Sequence, residues 1–255
     1  MVHYDVQDRV GAITLNRPEK RNALSFELVS ELKAVFLQAE TDPLVKVVVL
    51  KANGAVFCSG ADLAVLRQLQ SFSVQENLTD SRHLGDLFHQ IYTLRKPVIA
   101  QVEGHALAGG CGLATVCDFV FAVPEAKLGY TEVKIGFIPA IVMIFLLRKV
   151  GEQKAKQLLL TGELISAHQA LEIGIINQVV ERHEIERVVY DFAQRLIRNN
   201  SAESMEATKR MIAEIQSMPI ADALEYAAKM NAQARSSEDC KKGVQAFLDK
   251  KDLIW

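Results

Sequence analysis

The first amphipathic pattern along the chain predicts a helix that begins after Ser25. Apolar residues recur there at steps of three and four, which is the spacing of one helical face. A serine side chain suits the position just before a helix, because its oxygen can accept from a free backbone N–H. Asp42 and Pro43 end the pattern. The run of mostly β-branched residues at 45–50 then predicts a buried strand.

Further strands are predicted at residues 10–16, 98–102 and 119–123, with helical patterns between them. Strands that alternate with helices at this spacing indicate βαβ units and an α/β core. Residues 68–86 are polar and predict a mixture of helix and mobile loop. From about residue 152 the pattern is helical, apart from a short strand at 177–180. The apolar surface of these last helices predicts packing on the core and on a neighbouring subunit.

Composition narrows the possible classes of protein. The 255 residues carry a formal net charge of -2 and basic residues alternate with acidic ones, so no nucleic-acid partner is expected. The four cysteines form no CxxC pair, and no Cys/His cluster has zinc spacing, so no metal site is expected. No signal-peptide pattern opens the chain, and its most apolar stretch, residues 138–147, is too short to span a membrane. We therefore expect a cytoplasmic protein with reduced thiols and no membrane partner.

A glycine-rich segment at residues 104–112 leads into an apolar helix. A phosphate-binding P-loop requires Lys and then Ser or Thr after the last glycine, and they are absent here. A dinucleotide-binding turn requires a different glycine spacing. Two interpretations stay open. One is a turn that directs backbone N–H groups at an oxyanion, and the other is close packing of a helix on a strand.

Two other segments contain candidate chemistry. Cys58 and Ser59 precede a glycine, but G-x-S-x-G is absent, so a nucleophile is the weaker interpretation of either residue. Asp62 is interpreted as the cap of the following helix. Glu132 stands between a turn and an apolar run. It is either a general base or a solvated carboxylate.

Five segments, in this order, resemble the crotonase family of enoyl-CoA hydratases and isomerases. They are residues 16–24, 57–63, 104–114, 129–139 and 243–251, so the resemblance covers nearly the whole chain. It implies an α/β fold with a crotonase-like ββα spiral core over residues 1–195 and a C-terminal α-helical trimerisation region over residues 196–255. It also implies a homo-oligomer, either a trimer or a dimer of trimers.

The same resemblance implies an acyl-CoA thioester substrate, with coenzyme A as part of the substrate and no separate cofactor. The backbone N–H groups of Ala61 and Gly109 would form an oxyanion hole for the thioester enolate, and Glu132 would be the acid/base. A further set of residues matches positions at which family members contact the substrate or its coenzyme A. This set is Lys20, Arg21, Ala23, Ser59, Gly60, Asp62, Leu63, Gly110 and Tyr130.

One position departs from the family pattern. The hydratases place a first glutamate three residues beyond the oxyanion glycine, and this chain has Gly112 there. A single glutamate can move a proton between two carbons, so double-bond isomerisation and hydration of an enoyl-CoA both stay open. A methylglutaconyl-CoA-type hydratase and a non-catalytic acyl-CoA-binding member are the alternatives. If an apolar pocket near Ile135, Phe137 and Ile138 desolvates Glu132, the pKa of its carboxyl should be raised.

Overall fold

Two β-sheets organise the computed structural model, which describes residues 1–255. The larger sheet has the strand order β1-β2-β3-β5-β7-β10, and only the β1–β2 pair is antiparallel. The smaller sheet has the order β4-β6-β8-β9, with β9 antiparallel to β8. The strands are β1 Val2–Gln7, β2 Val10–Leu15, β3 Val47–Ala52, β4 Val56–Cys58, β5 Val98–Val102, β6 His105–Leu107, β7 Phe119–Ala122, β8 Lys127–Gly129, β9 Ile165–Ser166 and β10 Gln178–Val179.

Ten α-helices surround the sheets and form the C-terminal part of the chain. They are α1 Phe26–Thr41, α2 Leu63–Leu69, α3 Val74–Thr93, α4 Gly109–Thr115, α5 Ala140–Thr161, α6 Ala167–Glu172, α7 Ile185–Asn199, α8 Ala202–Ile215, α9 Ile220–Ser236 and α10 Glu238–Leu248. Helix α5 is interrupted at Gly151, whose backbone is not helical.

The two sheets are linked by a repeated pattern of two strands. In the pairs β3–β4, β5–β6 and β7–β8, the first strand joins the larger sheet and the second joins the smaller one. Helices α2 and α4 follow the first two pairs. The predicted ββα spiral core is therefore confirmed. Its second strands were not predicted as strands, because each has only three residues and so shows no measurable alternation.

Local signals explain most of the predicted elements. The Ser25 side chain accepts from the Leu28 N–H at 3.3 Å, so the helix cap expected from the sequence is confirmed. The mixture of helix and loop predicted for residues 68–86 is confirmed, with α2 and α3 separated by a short loop at residues 70–73. A capping box, in which Ser73 and Glu76 each bond the other's backbone N–H, starts α3 inside that polar stretch.

The C-terminal helices lie against the core but are less buried than it. Helix α7 contributes buried residues to the core, whereas α8, α9 and α10 contribute none. The Lys209 ammonium of α8 bonds the Asp118 carboxylate at 2.6 Å, and the Trp255 N–H donates to the Arg198 carbonyl at 3.0 Å. The tail is thus packed on the core, as predicted, while the predicted boundary at residue 195 falls inside α7.

No helix of the chain is both long enough and apolar enough to cross a lipid bilayer.

Candidate active site

The first candidate donor, the Ala61 N–H, lies in the turn between β4 and α2. This turn is fixed by a parallel bridge to Leu24. The Leu24 N–H donates to the Gly60 carbonyl at 2.7 Å, and the Asp62 N–H donates to the Leu24 carbonyl at 3.0 Å. The N–H of Ala61 itself makes no hydrogen bond within the protein, and Ala61 is exposed. The turn therefore holds one free backbone donor at the surface.

The second candidate donor, the Gly109 N–H, is the first of helix α4. The N–H groups of a first helical turn have no partner inside the helix, and they carry its positive dipole end. Ala108 precedes the helix with φ 50° and ψ -126°, a strained conformation for a residue with a side chain. The Ala108 N–H donates to the Gly129 carbonyl at 2.7 Å, which helps to hold this turn in place.

The two donor segments touch each other. Gly60 has φ 87°, and an ideal Cβ built on it would lie 3.4 Å from the Gly109 nitrogen and 2.8 Å from Ala108 Cβ. Only glycine permits both this conformation and this approach. Gly110 is packed as closely, because its Cβ would lie 2.2 Å from the Cys58 carbonyl oxygen. The two segments that carry the candidate donors therefore meet at one junction.

Glu132 begins a short 3-10 turn after β8 and is half-buried. Its Oε2 atom is buried and has no hydrogen-bond partner. Burial raises the pKa of this carboxyl, and the backbone N–H of the same residue opposes the shift. The predicted direction of the pKa shift is confirmed. The predicted cause, desolvation, is confirmed as well. Ile135, Phe137 and Ile138, which are close to Glu132 in sequence, are 49–68% exposed and lie at the surface.

Gly112 lies in the middle of α4 and is fully enclosed by side chains. An ideal Cβ on Gly112 would lie 2.2 Å from Val142 Cγ1 and 3.0 Å from Phe88 Cε1. Val142 belongs to α5 and Phe88 to α3, and both are buried. The position at which the resembled hydratases have a first glutamate therefore has neither a carboxylate nor room for one.

Two residues predicted to contact the substrate have structural roles. Tyr130 is fully buried, and its hydroxyl lies 2.9 Å from Thr115 Oγ1. From there it supports the segment before Glu132, while its predicted substrate contact stays a prediction. Asp62 caps α2 by accepting from the Ala64 N–H at 2.9 Å, which confirms the predicted cap. Its other oxygen accepts from Arg17 at 3.2 Å.

The other predicted contact residues divide between the surface and the interior. Lys20, Arg21 and Leu63 are exposed and Ser59 is partly exposed, so their side chains are open to a ligand. Ala23, Gly60 and Gly110 are buried. The Ser59 N–H donates to the Arg21 carbonyl at 3.1 Å. This bond holds the turn that contains Lys20 and Arg21 beside the segment that carries the Ala61 N–H.

Sequence reasoning missed Asn22 and Arg17, which fasten the same region. The Asn22 amide donates to the carbonyls of Asn53 and Val56 at 2.9 and 2.8 Å, and its oxygen accepts from the Arg17 N–H at 2.8 Å. The Arg17 guanidinium donates to the Ala23 carbonyl at 3.0 Å. Two of the three partners of Asn22, Asn53 and Val56, are more than thirty positions away in sequence, so no local pattern predicts this role.

The cysteines near the site are not activated nucleophiles. Burial raises the pKa of Cys58 to about 12 and that of Cys111 to about 11. A thiol must ionise to attack, so neither is reactive near neutral pH. No group of three or more metal-binding side chains occurs in the chain.

Comparison with known proteins identifies the family. A family model described as enoyl-CoA hydratase/isomerase matches residues 5–255. A candidate enoyl-CoA hydratase of Thermus thermophilus is 41% identical over 242 residues, which are 95% of each chain. The short-chain-enoyl-CoA hydratase of Clostridium acetobutylicum is 32% identical over 97% of this chain and 94% of its own.

A solved structure agrees with these relatives. An enoyl-CoA hydratase of Mycobacterium smegmatis has a TM-score of 0.94 and 29% identity, and the match covers all of this chain and 98% of that one. The chain therefore belongs to the enoyl-CoA hydratase/isomerase family, with the crotonase fold. It is an enzyme of hydratase/isomerase type that acts on the thioesters of coenzyme A.

Proposed function

We propose that the enzyme shifts the double bond of an enoyl-CoA thioester, and that Glu132 alone moves the proton. The observation that carries this proposal is the unpartnered, buried Oε2 atom of Glu132, together with the lack of any second carboxylate at Gly112. One carboxylate can accept a proton from one carbon and deliver it to another. Hydration requires in addition that a water molecule be held and activated.

The reaction begins when the Glu132 carboxylate takes a proton from the α-carbon of a 3-enoyl thioester. The electron pair of the broken C–H bond moves into the carbonyl, and the thioester oxygen becomes an oxyanion. The N–H groups of Ala61 and Gly109 donate to that oxygen without having to reorganise. Protonated Glu132 then gives its proton to the γ-carbon, and the electrons return to form the α,β double bond. Its raised pKa suits this alternation between acid and base.

Binding of coenzyme A follows from the arrangement around the first donor. Lys20 and Arg21 supply two exposed cations, which we assign to phosphate groups of the substrate. Ser59 and Leu63 flank the Ala61 donor and are assigned to the pantetheine and acyl parts. Gly60 and Gly110 allow the close approach of the two donor segments.

Hydration is the second candidate, and the names of the relatives favour it. The similar protein of Clostridium acetobutylicum is a short-chain-enoyl-CoA hydratase, and an Escherichia coli relative of 32% identity is a 2,3-dehydroadipyl-CoA hydratase. A role in acyl-CoA binding without catalysis is disfavoured, because the unpartnered glutamate and both free donors are present.

Assembly and location also belong to the proposal. Helices α8–α10 bury no residue of their own and expose large apolar side chains, which supports a homo-oligomer of the trimer or dimer-of-trimers type. These side chains include Ile212, Ile220, Leu224, Val244 and Phe247. Four free cysteines support a reducing, cytoplasmic environment.

The test is to offer the purified protein 3-enoyl and 2-enoyl CoA thioesters separately. We expect conversion of the first into a conjugated 2-enoyl thioester and little addition of water to the second. The Glu132→Gln variant should lose about 10²–10⁴-fold in rate, which is the usual contribution of an acid/base group. Turnover that survives this substitution would refute the role of Glu132. Faster hydration than isomerisation by the unaltered protein would favour the second candidate.

A further inference from the structure

Helix α5 packs its first turn against Gly112, one of the three glycines of α4. Gly112 lies three positions after Gly109, so the two residues share one face of α4. A side chain at position 112 would therefore point from the same face as the second oxyanion donor. The structure fills that space with Val142.

The contact leaves no room for even one carbon atom. A Cβ on Gly112 would lie 2.2 Å from Val142 Cγ1 and 2.8 Å from Val142 Cβ, and both are far below ordinary contact. Phe88 Cε1, at 3.0 Å, closes another side. A valine in a helix is held to essentially one rotamer, so it cannot turn away. Val142 is 3% exposed and Phe88 is fully buried.

We propose that Val142 is a specificity-determining residue that commits this site to proton transfer without water. This inference rests on the proposed function, and it attributes the preference for isomerisation over hydration to one side chain. Hydration adds a water oxygen to the β-carbon and a proton to the α-carbon. The water needs polar partners and a space of its own. Val142 and Phe88 offer only apolar surface beside α4, so they exclude both the second acid and the water that it would hold.

The atoms involved predict which substitution reopens the site. Shortening Val142 to alanine would leave its Cβ, which is 2.8 Å from the Cβ of any residue at 112. Only glycine at 142 removes both close atoms. Gly112→Glu should therefore fold poorly alone, improve a little with Val142→Ala and recover most with Val142→Gly.

The experiment compares three glutamate variants: Gly112→Glu alone, Gly112→Glu combined with Val142→Ala, and Gly112→Glu combined with Val142→Gly. The controls are the unaltered protein and Val142→Gly alone. Melting temperature reports the packing, and the ratio of hydration to isomerisation reports the reaction. We expect the melting temperature to rise in the order given for the three glutamate variants. We expect the ratio to increase about tenfold or more in Gly112→Glu/Val142→Gly.

Two results would overturn the inference. One is a Gly112→Glu protein that melts like the unaltered protein, and the other is a folded double variant whose reaction ratio is unchanged. If the double variant does not fold, formate is added to Val142→Gly as a small carboxylate for the opened space. Formate-dependent hydration supports the inference, and its absence overturns it. Failure of the proposed function is seen separately, as absence of isomerisation by the unaltered protein.

Discussion

Gly110→Ala tests how tightly the start of α4 is held against β4. A Cβ at this position would lie 2.2 Å from the Cys58 carbonyl oxygen and 2.7 Å from the Cys58 carbonyl carbon. Ordinary contact begins at 3.4 Å, so the helix start must move away by roughly 1.2 Å. Both obstacles are backbone atoms of a buried strand and cannot rotate aside. The displacement therefore shifts the Gly109 N–H relative to the Ala61 N–H.

A misplacement of about 1 Å at a reacting centre can reduce the rate about 100-fold. Overpacking of this kind typically costs about 1–3 kcal/mol of stability. We expect both effects in Gly110→Ala, measured as kcat/KM for a 3-enoyl thioester and as the free energy of unfolding in urea. The matched control is Gly85→Ala in α3. There the Cβ would meet only Ile141 Cδ1 at 3.6 Å, and alanine should add up to about 1 kcal/mol of helix stability.

The reasoning about Gly110 would be wrong if Gly110→Ala kept the kcat/KM of the unaltered protein while remaining folded. It would also be wrong if Gly110→Ala and Gly85→Ala lost stability equally. The Gly85→Ala control replaces a glycine where the added Cβ makes no close contact, so an equal loss could not come from overpacking.

Two further predictions concern stability. Burial raises the pKa of Glu132, so its contribution to stability is complete below the ordinary pKa of 4.5 and is lost as pH rises through the folded pKa. The melting temperature of Glu132→Gln minus that of the unaltered protein should therefore grow as pH is raised above 4.5 and then level off. If this difference in melting temperature shrinks over that range, the Glu132 carboxyl is not buried as described. Lys149 donates to the carbonyls of Thr115 and Cys117 at 2.8 Å each, at the end of α4. Lys149→Met leaves both carbonyls without this donor and should cost about 1–3 kcal/mol in urea unfolding, and an unchanged midpoint and slope would contradict this.

The sequence predicted the elements that have a local signal. Helix α1 has a capping serine and a regular apolar face, and β5 is an unbroken apolar run except for one glutamine. The short strands β4, β6 and β8 have no such signal, because three residues cannot show a period. Their pairing depends on residues about twenty to fifty positions apart, which no local pattern encodes.

The candidate site was predictable only in part for a related reason. Family resemblance indicated Ala61 and Gly109 as donors, and it indicated that Gly112 was unusual. The contact of Gly112 with Val142 joins residues thirty positions apart, and a valine in an apolar helix looks like any core residue. The burial of the Tyr130 ring and the contact of its hydroxyl with Thr115, fifteen positions away, likewise have no local signal in the sequence.

The central claim, that one carboxylate performs both proton transfers, is tested most directly with a 3-enoyl thioester deuterated at its α-carbon. A single shielded Glu132 carries the deuteron to the γ-carbon, so mass spectrometry of the 2-enoyl product should find part of the label there. Glu132→Gln should form no labelled product above background. Absence of deuterium from the γ-carbon, or equal labelling of that carbon by the variant, would contradict the account.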